Sequence, residues 1–270
     1  MTPQDFDYIA AVLRQRSGLV IMPDKTYLLE SRLVPLARRR GLGGLDQLIQ
    51  RMRAVRDEKL TAEVVEAMTT NESFFFRDGK PFEIFRQQTL PSLIASRAQQ
   101  RQIRIWSAAC STGQEPYSLA MILREEAARL AGWRIDILAT DLSVEVLERA
   151  KLGLYTQFEV QRGLPIQFLL KYFAQVNDMW QIEPSVRSMV RFRQYNLLDD
   201  PTPLGGFDVI FCRNVLIYFD QPTKRLILDR MSQLIPPDGA LYLGGAETVL
   251  GVSDSFKPLP GLRGVYGVAA

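Results

Sequence analysis

Few residues in this chain have the chemistry to act on a substrate, and their types narrow the choice. Histidine is absent from all 270 residues, which removes His-ligated metals, Ser-His-Asp triads and Cys-His pairs together. Carboxylates, arginines, tyrosines, amides and a cofactor remain. One loop combines small residues with an acid: Ala108-Ala109-Cys110-Ser111-Thr112-Gly113-Gln114-Glu115-Pro116-Tyr117-Ser118. Small side chains let a ligand approach the backbone. A dinucleotide loop would show G-x-G-x-x-G, so that amides cradle a pyrophosphate. Only Gly113 is present, and Glu115 repels phosphate. The loop therefore suits a nucleoside that lacks phosphates and carries a cation, a description that S-adenosylmethionine meets. Tight strand–helix packing is the competing explanation for such a loop.

Three further positions follow apolar runs. Asp141 is placed to accept two hydrogen bonds from ribose hydroxyls; otherwise it, or Ser143, caps the next helix. Asn196 and the pair Arg213-Asn214 stand after later strands, where Asn-type amides can read an adenine edge or hold the loop. The segment Thr69-Thr70-Asn71-Glu72-Ser73-Phe74-Phe75-Phe76-Arg77-Asp78 is of another kind. Three consecutive aromatics cannot all face one core, and Arg77 beside them is costly to bury without an anion.

The elements that must position these residues fall into two patterns. Through residue 70 the spacing is helical. Thr2-Pro3-Gln4-Asp5 reads as a capped start, and Phe6, Ile9 and Leu13 as one face, with Gly18 as the stop. A second helix runs from residue 23 or 24 to Arg40, with Pro35 inside it, where a kink or an unpaired carbonyl is expected. Leu45, Leu48, Ile49 and Met52 mark a third helix; Leu60, Val64, Ala67 and Met68 mark a fourth. After residue 90, strands alternate with helices. Strands are expected over 101–109, 133–141, 189–195, 207–212 and 239–245, with helices over 114–130, 143–152 and 221–234. This predicts an α/β fold, a doubly wound, mostly parallel sheet. Residues 153–188 break the rhythm and read as an inserted antiparallel flap. The expected organisation is a helical domain over 1–70, a linker over 71–90 that contributes to the cofactor site, and a sheet domain over 91–270.

Composition closes off other classes. No apolar run reaches the roughly 20 residues of a bilayer span, the polar and acidic opening MTPQDFDYIA is not expected to act as a signal peptide, and two cysteines make no disulfide framework. The expected compartment is the cytoplasm. A net charge of +3 does not argue for nucleic acid. It is unevenly spread. Between residues 31 and 59, Arg32, Arg38, Arg39, Arg40, Arg51, Arg53, Arg56 and Lys59 face only Asp46, Asp57 and Glu58, a local +5. That segment is either a solvated face or a docking surface for an acidic partner.

The segments TTNESFFFRD, WSAACSTGQEPYS, ATDLSVEVLERA and FDVIFCRNVLIYFD resemble the CheR family, the bacterial chemotaxis receptor methyltransferases. The resemblance runs from about residue 5 to residue 268. It implies a helical N-terminal domain, a Rossmann-like S-adenosylmethionine domain and an inserted antiparallel β-subdomain. It implies methyl transfer to glutamate side chains on the cytoplasmic helices of chemoreceptors, giving methyl esters and S-adenosylhomocysteine in sensory adaptation. It carries cofactor binding onto Asn71, Ser73, Arg77, Glu115, Asp141, Asn196, Leu197, Arg213 and Asn214. Ser73 stands where Thr is common and keeps the hydroxyl. Cys110 stands where a small residue such as Ala is common; it is expected to fit and adds an expectation of thiol reactivity. The turn Gln161-Arg162-Gly163-Leu164-Pro165 is short beside members that grip a receptor tail peptide, which argues against tethering. Receptor methylation helices are rich in glutamate by the same resemblance, so Arg32, Arg38 and Arg39 are candidates for substrate docking. A monomer is expected, with no nucleic-acid partner, no metal and no membrane insertion.

The chemistry tolerates the absence of histidine. A glutamate acceptor has a pKa near ~4.3 and is already a nucleophile at neutral pH. What remains is in-line alignment, worth roughly 7–11 kcal/mol. Tyr218 is a candidate to face the acceptor or frame the methyl. Arg77 is a candidate to hold the cofactor carboxylate, the acceptor, or both. The alternatives are a methyltransferase with another acceptor, a cofactor-sensing signalling module and, more remotely, a dehydrogenase.

Overall fold

Thr2 and Asp5 cap each other at the start of α1 (Pro3–Ser17). The Asp5 amide donates to the Thr2 hydroxyl at 3.2 Å, and the Thr2 amide and hydroxyl donate to the Asp5 carboxylate. Gly18 ends the helix at φ +76°, a left-handed position that favours glycine. The computed structural model describes residues 1–55 and 57–269, so Arg56 of the basic segment lies outside the described residues. Three more helices follow: α2 (Thr26–Arg39), preceded by a 3-10 turn at Pro23–Lys25, α3 (Leu45–Ala54) and α4 (Glu58–Met68). The expected helices are all present. Ile9, Leu13, Leu29, Leu33, Leu48 and Val64 are fully buried, each worth about 1.5–3 kcal/mol. Pro35 does not end α2; it sits on the exposed side, where water can take the carbonyl it leaves unpaired.

The chain divides into two compact units, the first made of Met1–Thr70 and Tyr218–Thr223. The second stretch joins the helices through a bridge between Leu19 and Phe219, a Val20 amide donated to the Tyr218 carbonyl at 2.9 Å, and an Arg14–Asp220 ion pair at 2.5 Å.

The other unit opens with α5 (Lys80–Ile84), a π-helical turn (Phe85–Thr89) and α6 (Leu90–Ser96), where sequence spacing gave only a linker and a change of pattern. Then come β1 (Gln102–Ala108), α7 (Gln114–Glu125), β2 (Arg134–Asp141) and α8 (Val144–Leu152). The insertion holds β3 (Leu154–Thr156), α9 (Gln157–Gln161), α10 (Ile166–Tyr172), β4 (Phe173–Val176), β5 (Met179–Ile182) and α11 (Pro184–Arg187). The chain closes with β6 (Val190–Gln194), β7 (Val209–Cys212), α12 (Gln221–Ser232), β8 (Ala240–Leu243), β9 (Phe256–Pro258) and β10 (Val265–Val268).

Seven strands form one sheet in the order β6-β2-β1-β7-β8-β10-β9, parallel from β6 to β8 and antiparallel at β10 and β9. The insertion makes a separate antiparallel sheet, β3-β5-β4. All four residues of β7 and of β8 are buried, as expected of central strands covered on both faces. Strand order reverses at β1, and Ala108 lies level with Thr140 on one side and Cys212 on the other. The loops after β1, β2 and β7 therefore leave the sheet side by side at its topological switch point, the crevice where such folds bind ligands. Among the described residues, no helix is long and apolar enough to cross a membrane.

Candidate functional site

Backbone strain marks the loops at this crevice. Among the described residues, the non-glycine positions with positive φ are Phe76, Asp78, Arg101, Ala109, Ser111, Asn177 and Asn214. Five of these seven fall in the segments singled out from sequence. Such conformations cost about 1–3 kcal/mol each and persist where surroundings enforce them. The enforcing contacts are specific. The Ser111 amide donates to the Asp141 carboxylate at 2.8 Å, and the Ser111 hydroxyl donates to the Asn71 carbonyl at 2.6 Å. Tyr155 donates to the Thr112 carbonyl at 2.8 Å. Gly113, at φ +92°, has no room for a side chain: a Cβ would lie 3.0 Å from Ala150 and 3.1 Å from Tyr117. Its role is packing.

Asp141 is buried and also accepts from the Ser143 amide at 3.0 Å. The cap of α8 is Ser143, whose hydroxyl accepts from the Val146 amide. This decides against Asp141 as the helix cap. Its carboxylate ties the loop after β1 to the loop after β2.

Glu115 and Arg213 meet at the crevice as a buried pair at 3.1 Å. Glu115 also accepts from the Ser107 hydroxyl at 2.8 Å. Burial pushes the Glu115 carboxyl above its usual value, although Arg213 and Ser107 pull the other way. Arg213 donates further to the Asp78 carboxylate at 2.6 Å and to the Arg77 carbonyl at 3.0 Å. Its Nε is buried with no partner.

The aromatic triplet divides three ways. Phe75 is fully buried, edge-on to Tyr155 and Phe173. Phe76 stacks on Phe168 of the insertion. Phe74 carries the guanidinium groups of Arg162 and Arg77 over its ring, at 4.5 and 5.4 Å. Arg77 is only part-buried and donates to the Glu72 carbonyl at 2.9 Å, so the expected cost of burying it does not arise. The turn after α9 closes on the same segment. Arg162 pairs with Glu72 at 2.5 Å, and a Cβ on Gly163 would lie 2.1 Å from the Phe75 carbonyl.

Asn196 turns back on itself, its side chain accepting from the Leu198 amide at 3.1 Å, with Leu197 beside it part-buried. Ser73 is part-buried in the 71–78 segment. Asn214 heads the loop after β7, at φ +59°. Tyr218 groups with the helical unit.

Two expectations need correction. Cys110 and Cys212 are free thiols, but both are buried, and burial together with nearby carboxylates pushes each thiol well above its usual range. Cys110 is therefore not a reactive thiolate at neutral pH. Arg32 is not an open docking group. Its guanidinium donates to the Met68 and Thr69 carbonyls at 2.7 and 2.8 Å and to the Thr70 hydroxyl at 3.0 Å, closing the end of α4. Arg38 and Arg39 are exposed. Sequence reading missed Ser107, Asp78 and Glu247 as partners of these groups. An acid after the glycine pair 244–245, beyond an apolar strand, was the only sign of Glu247.

These residues fit S-adenosylmethionine. A small-residue backbone is held open by strained but enforced dihedrals, a buried carboxylate ends β2, and the unpartnered Arg213 Nε is a buried donor of the kind a ligand acceptor satisfies. Among the described residues no cluster of His, Cys, Asp and Glu is arranged to hold a metal ion.

Residues 71–265 match the family model described as CheR methyltransferase, SAM binding domain, and residues 4–69 match that of CheR methyltransferase, all-alpha domain. The chain is 44% identical to chemotaxis protein methyltransferase 1 of Pseudomonas aeruginosa, over 94% of this chain and 93% of that one. It is 41% identical to chemotaxis protein methyltransferase Cher2 of Pseudomonas putida, with the same coverage. Against chemotaxis protein methyltransferase of Vibrio parahaemolyticus it is 38% identical, over 95% of this chain and 94% of that one.

Proposed function

The chain belongs to the CheR methyltransferase family and uses S-adenosylmethionine, and on that premise we propose that its acceptors are glutamate side chains of bacterial chemoreceptors. The products are glutamate methyl esters and S-adenosylhomocysteine, and the reaction takes place in the cytoplasm on the receptors' cytoplasmic helices. One observation about the crevice supports a carboxylate acceptor: the buried acids there are already engaged by donors of the chain. Asp141 takes two amides, Glu115 takes Ser107 and Arg213, and Glu247 takes backbone amides. A carboxylate whose oxygens are turned to the chain's own donors is badly placed to take a proton from an acceptor, even where burial raises its pKa as at Glu115, and histidine is absent. An acceptor that is already ionised needs none.

When bound, the cofactor supplies a methyl group made electrophilic by its sulfonium. The chain's own residues bind and orient. In this reading Asp141 takes the ribose hydroxyls, and Asn71, Ser73, Glu115, Asn196, Leu197, Arg213 and Asn214 line the rest of the cofactor site. Arg77, part-buried and held over Phe74, is assigned to a carboxylate, that of the cofactor or of the acceptor. Tyr218 is assigned to the acceptor. Excluding water from the charge-neutralising step favours transfer. Arg38 and Arg39 steer an acidic receptor helix toward the chain, an effect on encounter and register. The short 161–165 turn is packed on its own chain, which supports methylation without a tail-peptide tether.

The test uses methyl-labelled S-adenosylmethionine and a cytoplasmic chemoreceptor fragment. A base-labile ester on glutamate, mapped by mass spectrometry, is the expected result. Base-stable label, or transfer only to small molecules, rejects the acceptor.

A further inference from the structure

Glu247 lies in the loop after β8 and is 9% exposed. Both of its carboxylate oxygens are spent on backbone amides. Oε2 accepts from Gly244 and Asn214, each at 2.7 Å. Oε1 accepts from Leu216 at 2.7 Å, Val215 at 2.9 Å and Ile217 at 3.3 Å. Four of these five donors are consecutive residues of the loop after β7, some 30 positions away in sequence. Consecutive amides converge on one anion in a nest-like backbone or at the start of a helical turn; here Asn214 at φ +59° supplies the reversal and a 3-10 turn begins at Leu216. Without the carboxylate, five part-buried or buried amides would lose this acceptor, each at a cost in desolvation. Gly244 completes the cradle. A Cβ there would lie 2.8 Å from Glu247 Oε2 and 2.9 Å from the Asn214 amide nitrogen.

This loop begins with Arg213 and Asn214, which the proposed function places at the cofactor. Arg213 has its guanidinium fixed by Glu115, Asp78 and the Arg77 carbonyl. Where that side chain sits depends on where the backbone at 213–214 is pinned. We propose that Glu247 is a positioning residue for methyl transfer: it touches no reactant and sets the register of the loop that carries Arg213 and Asn214. The proposal rests on the reading of that loop as part of the cofactor site.

The test compares the full chain with Glu247→Gln, Glu247→Asp and Gly244→Ala. Gln keeps the side-chain length but turns an N–H2 toward one set of amide donors. Asp keeps the charge but falls one methylene short. The Gly244 variant leaves the carboxylate and pushes on the Asn214 amide. Charge-assisted hydrogen bonds are the stronger class, so Glu247→Gln should weaken S-adenosylhomocysteine binding about tenfold by calorimetry. It should lower kcat about tenfold or more, while KM for the receptor fragment stays within about twofold. Amide exchange at 214–217 should accelerate, and Gly244→Ala should show the same kinetic pattern. A folded Glu247→Gln with parental affinity and kcat, and only a lower Tm, overturns the proposal. If Glu247→Gln does not fold, parental kinetics in Glu247→Asp or Gly244→Ala overturns it instead. If the parental chain methylates no receptor fragment, the acceptor reading fails by itself, and S-adenosylhomocysteine affinity with amide exchange still decides the role of Glu247.

Discussion

The two units of this chain differ in the charge they bury. In the helical unit the ion pairs lie on the outside: Arg16–Glu58 at 2.6 Å, Arg53–Asp5 at 3.1 Å and the short Arg40–Glu63 pair all have solvent around them. The sheet unit has exposed pairs as well, such as Lys80–Glu83 and Lys151–Glu148, but it also takes charges inward. Arg213 and Glu115 have side chains 1% and 11% exposed, Arg97 joins Asp208 and Asp238, and Arg104 joins Asp136. Exposed pairs are screened and contribute little. Buried ones are costly to form and more costly to break, because removing one partner leaves the other without solvent or counter-charge. The difference teaches that exposed charge such as Arg38 and Arg39 is available for encounter, whereas the buried Arg213–Glu115 pair fixes geometry.

Breaking the buried pair gives the largest expected effect. Arg213→Leu should cost roughly 3–5 kcal/mol of stability by urea unfolding, because Glu115 is stranded. Arg213→Leu combined with Glu115→Leu should regain much of that while still failing to bind S-adenosylhomocysteine. A single variant as stable as the parent would remove the contrast between the units. Next is Asp141→Ala. Two ribose hydroxyls lose a charged acceptor worth about 1.5–3 kcal/mol, so cofactor affinity should fall at least about tenfold; unchanged affinity by calorimetry takes Asp141 out of the site.

Titration separates Glu63 from Glu115 by sign. The Arg40 hydrogen bond holds the Glu63 carboxyl below its usual 4.5. Stability from Glu63 is therefore fully present above that value and lost as pH falls through the lowered one. Burial holds the Glu115 carboxyl above its usual 4.5. Its contribution is fully present below that value and declines as pH rises through the raised one. In urea unfolding between about pH 3 and 7, Glu63→Gln and Glu115→Gln should change the pH slope in opposite directions. Slopes that move together would contradict the assignment.

The smallest effects belong to the exposed arginines. Arg38→Ala and Arg39→Ala should slow receptor methylation a few-fold at low salt and flatten its salt dependence, leaving S-adenosylhomocysteine affinity unchanged. Arg32→Ala should instead lower stability, since it uncaps α4. Parental rates across salt for both Arg38 and Arg39 variants would make the basic face merely solvated.

Much of this was legible in the amino-acid order. The cap at Thr2, the stop at Gly18 and the apolar faces of the four helices depend on neighbours three and four residues away, and so appear in local spacing. The central strands read clearly because both faces are buried, which leaves runs such as Val209–Cys212 without interruption. The small-residue loop and Asp141 stood out for the same reason: each immediately follows such a run. The short β9 and β10, set among Pro and Gly, gave no comparable signal, and the helices over 80–96 went unread, part of them under the linker expected over 71–90.

What tertiary structure alone decided is which polar group meets which. Sequence left Asp141 and Ser143 equally able to cap α8; the Ser143 hydroxyl on the Val146 amide settled it. Sequence grouped Arg32 with Arg38 and Arg39 by helical spacing, but the carbonyls that claim Arg32 belong to residues 36 and 37 positions away. Glu247 reaches a loop 30 to 33 residues earlier. A hydrogen bond between distant segments leaves no periodicity in the chain, because its geometry exists only once the strands have set their ends level. Apolar burial is a property of the pattern, whereas a buried polar partner is a property of the folded contact.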